Sequence, residues 1–232
     1  IASIAGEKLG ATGDAIVELK EILAEDPRDV EALDVLGRLY RVEGKAKELR
    51  DLYDHRLAHT EAPSERWVLL SEVAELEETL LEDSEAAARR YRAILEIDDM
   101  DPEALRALDR LASAAGRWEE VSSMLEKRRQ LADAGSAESG QLALRHADVL
   151  RTFLGRPSDA LDAYAVTLKT DPANEAAVRG LEALGEADDG KLALRLGRVL
   201  EPAYTRKGEF TKVNDILTKR LAAATDEEEI RT

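Results

Sequence analysis

The chain has no cysteine, which excludes a disulfide frame, a thiolate metal site and a thiol nucleophile, and leaves the redox compartment undetermined. Aromatic residues are only 4% of the 232 and prolines only six, the profile of a chain that is nearly all helix, so no strand is expected. No apolar run approaches the ~18 to 20 residues of a membrane span. The opening, Ile1-Ala2-Ser3-Ile4, lacks an initiator methionine and a basic-then-apolar signal, so the sequence reads as a piece excised from something longer. Basic side chains are also scarce. With 33 of them against 49 acidic ones the net charge is −16, which favours solubility and repels polyphosphate, so nucleic acid is not expected as a partner.

Alanine, leucine, glutamate and arginine dominate what is present. A recurring phrase closes three apolar-periodic stretches: Ile22-Leu23-Ala24-Glu25-Asp26-Pro27, a looser Ile97-Asp98-Asp99-Met100-Asp101-Pro102, and Leu168-Lys169-Thr170-Asp171-Pro172. The prolines at 27, 102 and 172 lie 75 and 70 residues apart, close to twice the roughly 34-residue period of a helix-turn-helix repeat. A stack of helix pairs grows by adding neighbours, so residues 1–232 are read as one array despite the length.

One hairpin is explicit. Leu33, Leu36, Gly37 and Tyr40 fall at i, i+3, i+4 and i+7 on one helix face, Gly44 supplies a stop, and Leu49, Tyr53 and Leu57 stripe a second helix. Gly155 to Ala160 with Tyr164, Leu168 and Pro172 make another second helix, preceded by a first helix carrying Leu144, Ala147 and Arg151. Leu105, Leu108 and Ala112 precede Gly116, Val121 and Leu125, with Asp109 where a small residue is expected. This ladder resembles the tetratricopeptide repeat. The resemblance implies an all-α, right-handed superhelical solenoid of antiparallel helix pairs, with units near 1–28, 29–62, 63–100, 101–138 and 139–173 and an irregular segment over 174–225. Trp67, Leu70, Ser71 and Ala74 reach the family register at Ala87, Tyr91, Ile94 and Leu95 only if about four residues are inserted near Glu77 to Ser84, so longer helices are expected there. Leu200, Tyr204, Gly208, Val213 and Leu217 form a last pair. An odd or skipped helix is expected between Pro172 and Gly208.

Caps are expected at Asp14, Asp29, Ser84, Asp101 and Asn174, and a longer, hinge-like connection over 131–140. His55 and His59 stand at i, i+4 without an evident third ligand, so they and His146 are read as solvated and no metal is expected. The acidic pairs Glu77-Glu78 and Asp98-Asp99, and the run Asp226 to Glu229, read as solvent faces or helix-end charges. No phosphate cradle and no nucleophile-base ordering stands out, so neither a catalytic residue nor a cofactor is expected. Trp118 is read as a staple at a turn.

In the resembled family the first helices line a concave face. Its register assigns to that face Asp34 and Arg38, Val68 and Glu72, Arg106 and Arg110, Arg145 and Val149, and Arg198 and Pro202. The candidate partner-binding residues are therefore Arg38, Arg106, Arg110, Arg145 and Arg198, whose guanidinium forks suit an acidic peptide or helix. The same side chains read equally as a salt-laced solvent face, with Asp34 pairing Arg38 and Glu103 pairing Arg106. The family's clamp for chaperone tails needs asparagines and lysines on first helices, and Asn174 and Asn214 do not fit it. The implied function is non-catalytic protein or peptide binding. A spacer, a self-associating array or the regulatory arm of an enzyme are the alternatives.

Overall fold

The computed structural model describes residues 12–187 and 192–218, and every regular element within them is a helix. In chain order these are α1 Thr12–Glu25, α2 Val30–Val42, α3 Ala46–His59, α4 Pro63–Thr79, α5 Ser84–Ile97, α6 Pro102–Ala114, α7 Trp118–Leu131, α8 Ala137–Thr152, α9 Pro157–Thr170, α10 Glu175–Ala187, α11 Ala193–Lys207 and α12 over 210–218. The expectations placed on residues 1–10 and on Asp226 to Glu229 lie outside the described residues. The long first helix is where the insertion was expected: α4 has 17 residues, against 13 in α2 and α6.

Two turn chemistries alternate along the chain. Between the helices of a pair, Gly44, Gly116, Gly155 and Gly208 take φ of 61° to 70°, the left-handed conformation that ends a helix without a Cβ clash. Three of these turns share one backbone bond: Lys45 N–H to the Tyr40 carbonyl at 2.9 Å, Arg117 to Ala112 at 2.9 Å and Glu209 to Tyr204 at 3.0 Å. The stretched unit uses Glu82 instead, at φ 53°.

At three of the turns between pairs, an aspartate carboxylate accepts the N–H two residues on, and the third residue on caps the next helix. Asp26 accepts from Arg28 at 3.0 Å and Asp29 caps Ala32 at 2.8 Å. Asp171 accepts from Ala173 at 3.1 Å and Asn174 caps Ala177 at 3.0 Å. In the middle turn it is Asp98 that accepts, from Met100 at 3.1 Å, and Asp101 is the cap, holding Ala104 at 2.7 Å. The looser phrase is thus shifted by three residues. Asp99 stands where the outer turns have proline, and Pro102 is the first residue of α6. The equivalent aspartates at 26, 98 and 171 are 72 and 73 residues apart, a more even spacing than the prolines. Two other caps move: Asp83, not Ser84, accepts from Ala86 at 2.9 Å, and Asp14 lies inside the first turn of α1. The connection expected over 131–140 shrinks to 132–136, because Ser136 caps α8 through Ser139 at 3.1 Å.

The chain divides into two compact units, Ile1–Ala107 and Leu108–Thr232. In the first, successive helices from α1 to α5 pack on one another around Leu19, Leu36, Leu49, Tyr53, Leu70, Val73 and Ile94. Trp67 donates its indole N–H to Asp101 at 2.9 Å, so one buried carboxylate serves both a cap and a tryptophan.

In the second unit α8 packs on α7 and α9, α10 on α9 and α8, and α11 on α10 and α9. Tyr164 of α9 is fully buried at the centre, against the helix carrying Gly180. α11 packs on the two helices before it, as the first helix α10 does, and it ends in the glycine turn that first helices use. Two consecutive helices thus carry first-helix features between Pro172 and Gly208, where an odd or skipped helix was expected. Trp118, the first residue of α7, stacks on Phe153 with ring centroids 3.7 Å apart and planes 11° apart, joining two pair-internal turns.

Candidate functional site

Apolar stripes turn each helix, so the residues left on the outer faces are set by the same 3.6-residue period that builds the core. All five candidate arginines are exposed. In the first unit, Arg38 projects from α2 and bonds to no described residue, while Arg106 of α6 pairs with Glu103 one turn earlier. Val68 on α4 is 48% exposed. Asp34 is taken by Arg56 of α3 at 3.3 Å instead of Arg38, and Glu72 lies 3.5 Å from Arg41.

In the second unit, Arg110 is exposed and also engaged. Arg145 of α8 is committed to the fold: it grips Asp109 of α6 with two bonds of 2.6 and 2.7 Å and adds Ser113 at 2.9 Å. Val149, assigned to the same face, is buried against Ala112, Val121, Leu125 and Leu142, so α8 presents Arg145 at the edge of a packed seam. Arg198 is exposed on α11 and bonds to no described residue. Pro202 is inside α11 and cannot donate to the Arg198 carbonyl one turn back.

Two buried carboxylates organise these surroundings. Asp109, 1% exposed, receives Arg145 and also Arg128 of α7 at 2.5 Å, so one anion ties α6, α7 and α8 together. Glu77 of α4 is likewise 1% exposed and takes a forked contact from Arg90 of α5 at 3.0 to 3.3 Å. Arg90 reaches on to Asp54 of α3 at 3.0 Å. The expectation that Glu77 is a solvent-face charge is thereby corrected. Each charge is stranded from water, and each survives because guanidinium forks satisfy it.

The tyrosines on the seams carry polar handles. Burial pushes the Tyr164 hydroxyl up to about 12, helped by its hydrogen bond to Asp148 at 2.5 Å, and Arg151 donates to it at 3.1 Å. Burial does the same at Tyr53, also to about 12, beside Glu72 and Arg41. His55 and His146 depart from the solvated reading, while His59 is exposed. His55 places Nε2 3.0 Å from the Pro27 carbonyl, and its ring lies 4.8 Å from that of His59. His146 is 7% exposed, 2.8 Å from Ser122 through Nε2, with Nδ1 buried and unpartnered. Among the described residues no three His, Asp or Glu side chains converge as a metal ion requires, and no helix is long and apolar enough to cross a membrane.

No family model and no curated protein matches the sequence. Solved structures do resemble the fold. YrrB, described as a tetratricopeptide-repeat protein with an unusual peptide-binding site, is 17% identical over 78% of this chain and 88% of its own, with a TM-score of 0.43. A tetratricopeptide-repeat protein from Parabacteroides merdae is 16% identical over 94% and 96%, with a TM-score of 0.42. The structure of Naa15/Naa10 bound to HypK-THB matches at 16% identity with a TM-score of 0.51, over 88% of this chain and 36% of the matched chain. Among the described residues the regular elements are all helices, in pairs joined by glycine turns, which makes the chain an all-α helical-repeat array, and the likeness in fold to the Naa15/Naa10 structure agrees with it.

Proposed function

We propose that the chain is a non-catalytic scaffold that holds a segment of another protein against the exposed face of its first helices, and that the segment is acidic. One observation carries this reading. On a chain of charge −16, Arg38 stands exposed on α2 with no bond to a described residue, on the face assigned also to exposed Val68 and Arg106. An unspent guanidinium is a bidentate carboxylate receptor, and an exposed apolar side chain beside such receptors adds contact area. Arg145 is spent on Asp109 and is not itself a ligand in the proposal.

The test is an array of immobilised peptides, graded in glutamate content, probed with wild-type protein and with Arg38→Glu combined with Arg106→Glu and Arg110→Glu. Acidic peptides should be retained by the wild type and lost about tenfold or more in the triple variant, with unchanged helicity. Equal retention by the two proteins would remove this face from contention.

A second reading, a self-associating or extended array, is favoured by Phe210 and Leu217, 68% and 44% exposed and seven residues apart on one face of α12. It predicts a concentration-dependent mass in sedimentation that Phe210→Glu abolishes. A single monomeric species at every concentration would count against it.

A further inference from the structure

A second arginine cluster lies on a different surface, where α3, α4 and α5 of the first unit enclose a cleft of about 520 Å³. Its walls carry Arg66, Arg89 and Arg90, with Asp54 as the one carboxylate, and Leu57 and Leu70 form a buried apolar floor. The placement follows from helix chemistry. Arg66, one turn into α4, turns back over the end of α3 and donates Nη1 to the carbonyls of Leu57 at 2.9 Å and Thr60 at 3.0 Å, adding to the single 3.4 Å bond that Leu57 receives from the Thr60 N–H. Arg90 is held by Glu77 through Nε and Nη2 and by Asp54 through Nη2. Arg89, its neighbour on α5, is exposed and bonds to no described residue.

Those bonds leave Nε and Nη2 of Arg66, Nη1 of Arg90 and the whole fork of Arg89 unspent around one opening. Two of the three guanidiniums are pre-organised by the fold, so a carboxylate entering the cleft meets donors whose ordering has already been met during folding. Arg66, Arg89 and Arg90 against Asp54 and the Glu77 that holds Arg90 leave one positive charge in excess at the cleft of an acidic chain. Leu57, Leu70, Ala58 and Ala93 give it a floor that a free inorganic anion does not use.

We propose that this cleft is a binding site for an acidic side chain of a partner polypeptide, a glutamate or aspartate next to an aliphatic residue, with Arg89 as the principal contact and Arg66 and Arg90 as fixed walls. The site is separate from the first-helix face and goes beyond the function proposed above.

The experiment is fluorescence anisotropy with a fluorescein-tagged pentapeptide of alternating glutamate and leucine. It is carried out on the full chain in a background of Arg38→Glu and Arg106→Glu, so that the first-helix face does not contribute. Arg89→Glu in that background should weaken binding at least tenfold. Arg89 is exposed and bonds to no described residue, so helicity and unfolding midpoint should not change; Arg89→Lys should recover part of the affinity. The same peptide with glutamine for glutamate should bind at least tenfold more weakly. Inorganic phosphate should displace the peptide only at concentrations far above the peptide's own. Unchanged affinity in Arg89→Glu, equal binding of the glutamine peptide, or displacement by phosphate at concentrations matching the peptide's would each overturn the proposal. Because the first-helix arginines are already reversed, failure here leaves the reading of that face untouched.

Discussion

Gly180 and Tyr164 give a sharp test of how tightly α10 sits on α9. A Cβ added at Gly180 would lie 2.3 Å from Cζ of Tyr164, 2.5 Å from its oxygen and 2.6 Å from Cε1. Carbon pairs settle near 3.5 to 4.0 Å, so either the helix or the ring must move by more than about 1 Å. The ring is not free to swing, because its hydroxyl donates to Asp148 at 2.5 Å and accepts from Arg151 at 3.1 Å in a fully buried position. Overpacking of this kind costs about 1 to 3 kcal/mol, and losing a hydrogen bond to a charged partner about 1.5 to 3 more. Against this, alanine is worth about 1 kcal/mol over glycine inside a helix. Gly180→Ala should therefore destabilise by about 2 to 4 kcal/mol in urea unfolding followed by circular dichroism, with lost amide protection concentrated in α9 and α10. Making room with Tyr164→Leu should reverse the sign, so that Gly180→Ala in that background gains up to about 1 kcal/mol. A Gly180→Ala protein at least as stable as the parent would refute the close approach, since the clash would then cost no more than the roughly 1 kcal/mol that helix propensity returns.

Other outcomes follow from the buried charges and seams. Asp109→Ala removes the anion shared by Arg128 and Arg145; Arg145 can turn to water but Arg128, 18% exposed, stays largely buried, so a loss of about 2 to 4 kcal/mol is expected by urea titration, and a loss below about 0.5 would sink the bridge. Leu108→Ala, at a site 1% exposed, should cost about 2 to 5 kcal/mol and loosen adjoining helices in hydrogen exchange; a surface-like change would contradict its place in the seam. Burial, then the charge of Arg129, holds the His146 imidazole below its ordinary 6.5; Arg156 acts in the same direction and Glu126 and Asp159 oppose it. The unfolded chain thus binds the proton first, so this contribution is fully present above pH 6.5 and is lost as the pH falls through 6.5 towards the folded value. Urea midpoints measured from pH 7.5 to 5 should fall more steeply for the wild type than for His146→Gln, and parallel curves would rule the effect out.

What was legible in the sequence is what repeats within a few residues. Leu33, Leu36, Gly37 and Tyr40 announce a helix face because the helical period is local, and Gly44, Gly116 and Gly208 announce its end because a left-handed turn needs no distant partner. Proline was a less faithful marker than aspartate. The turn is built by a carboxylate accepting the N–H two residues on, which Asp98 does without a proline, whereas Pro102 merely starts a helix. The stretched α4 and the irregular α10–α11 region were visible as breaks in spacing, though their packing was not. The polar interior stayed hidden because its partners sit one repeat away. Arg41 meets Glu72 at a separation of 31 residues, Arg195 meets Asp162 at 33 and Trp67 meets Asp101 at 34. Arg90 meets Asp54, and Arg145 meets Asp109, both at 36. A helix-face reading compares neighbours three and four apart, so it assigns Arg145 to an open groove. The signal that could have corrected it was Asp109 itself, a charge where the register wants a small residue. In a stacked array such a charge is tolerable only if the next unit supplies its counter-ion about one period along, and Arg145 stands there. The same search, opposite charges one repeat apart, is how a sequence points to arginines spent on the stack; the side-chain geometry then chooses between neighbours, giving Glu72 to Arg41 and leaving Arg38 unspent.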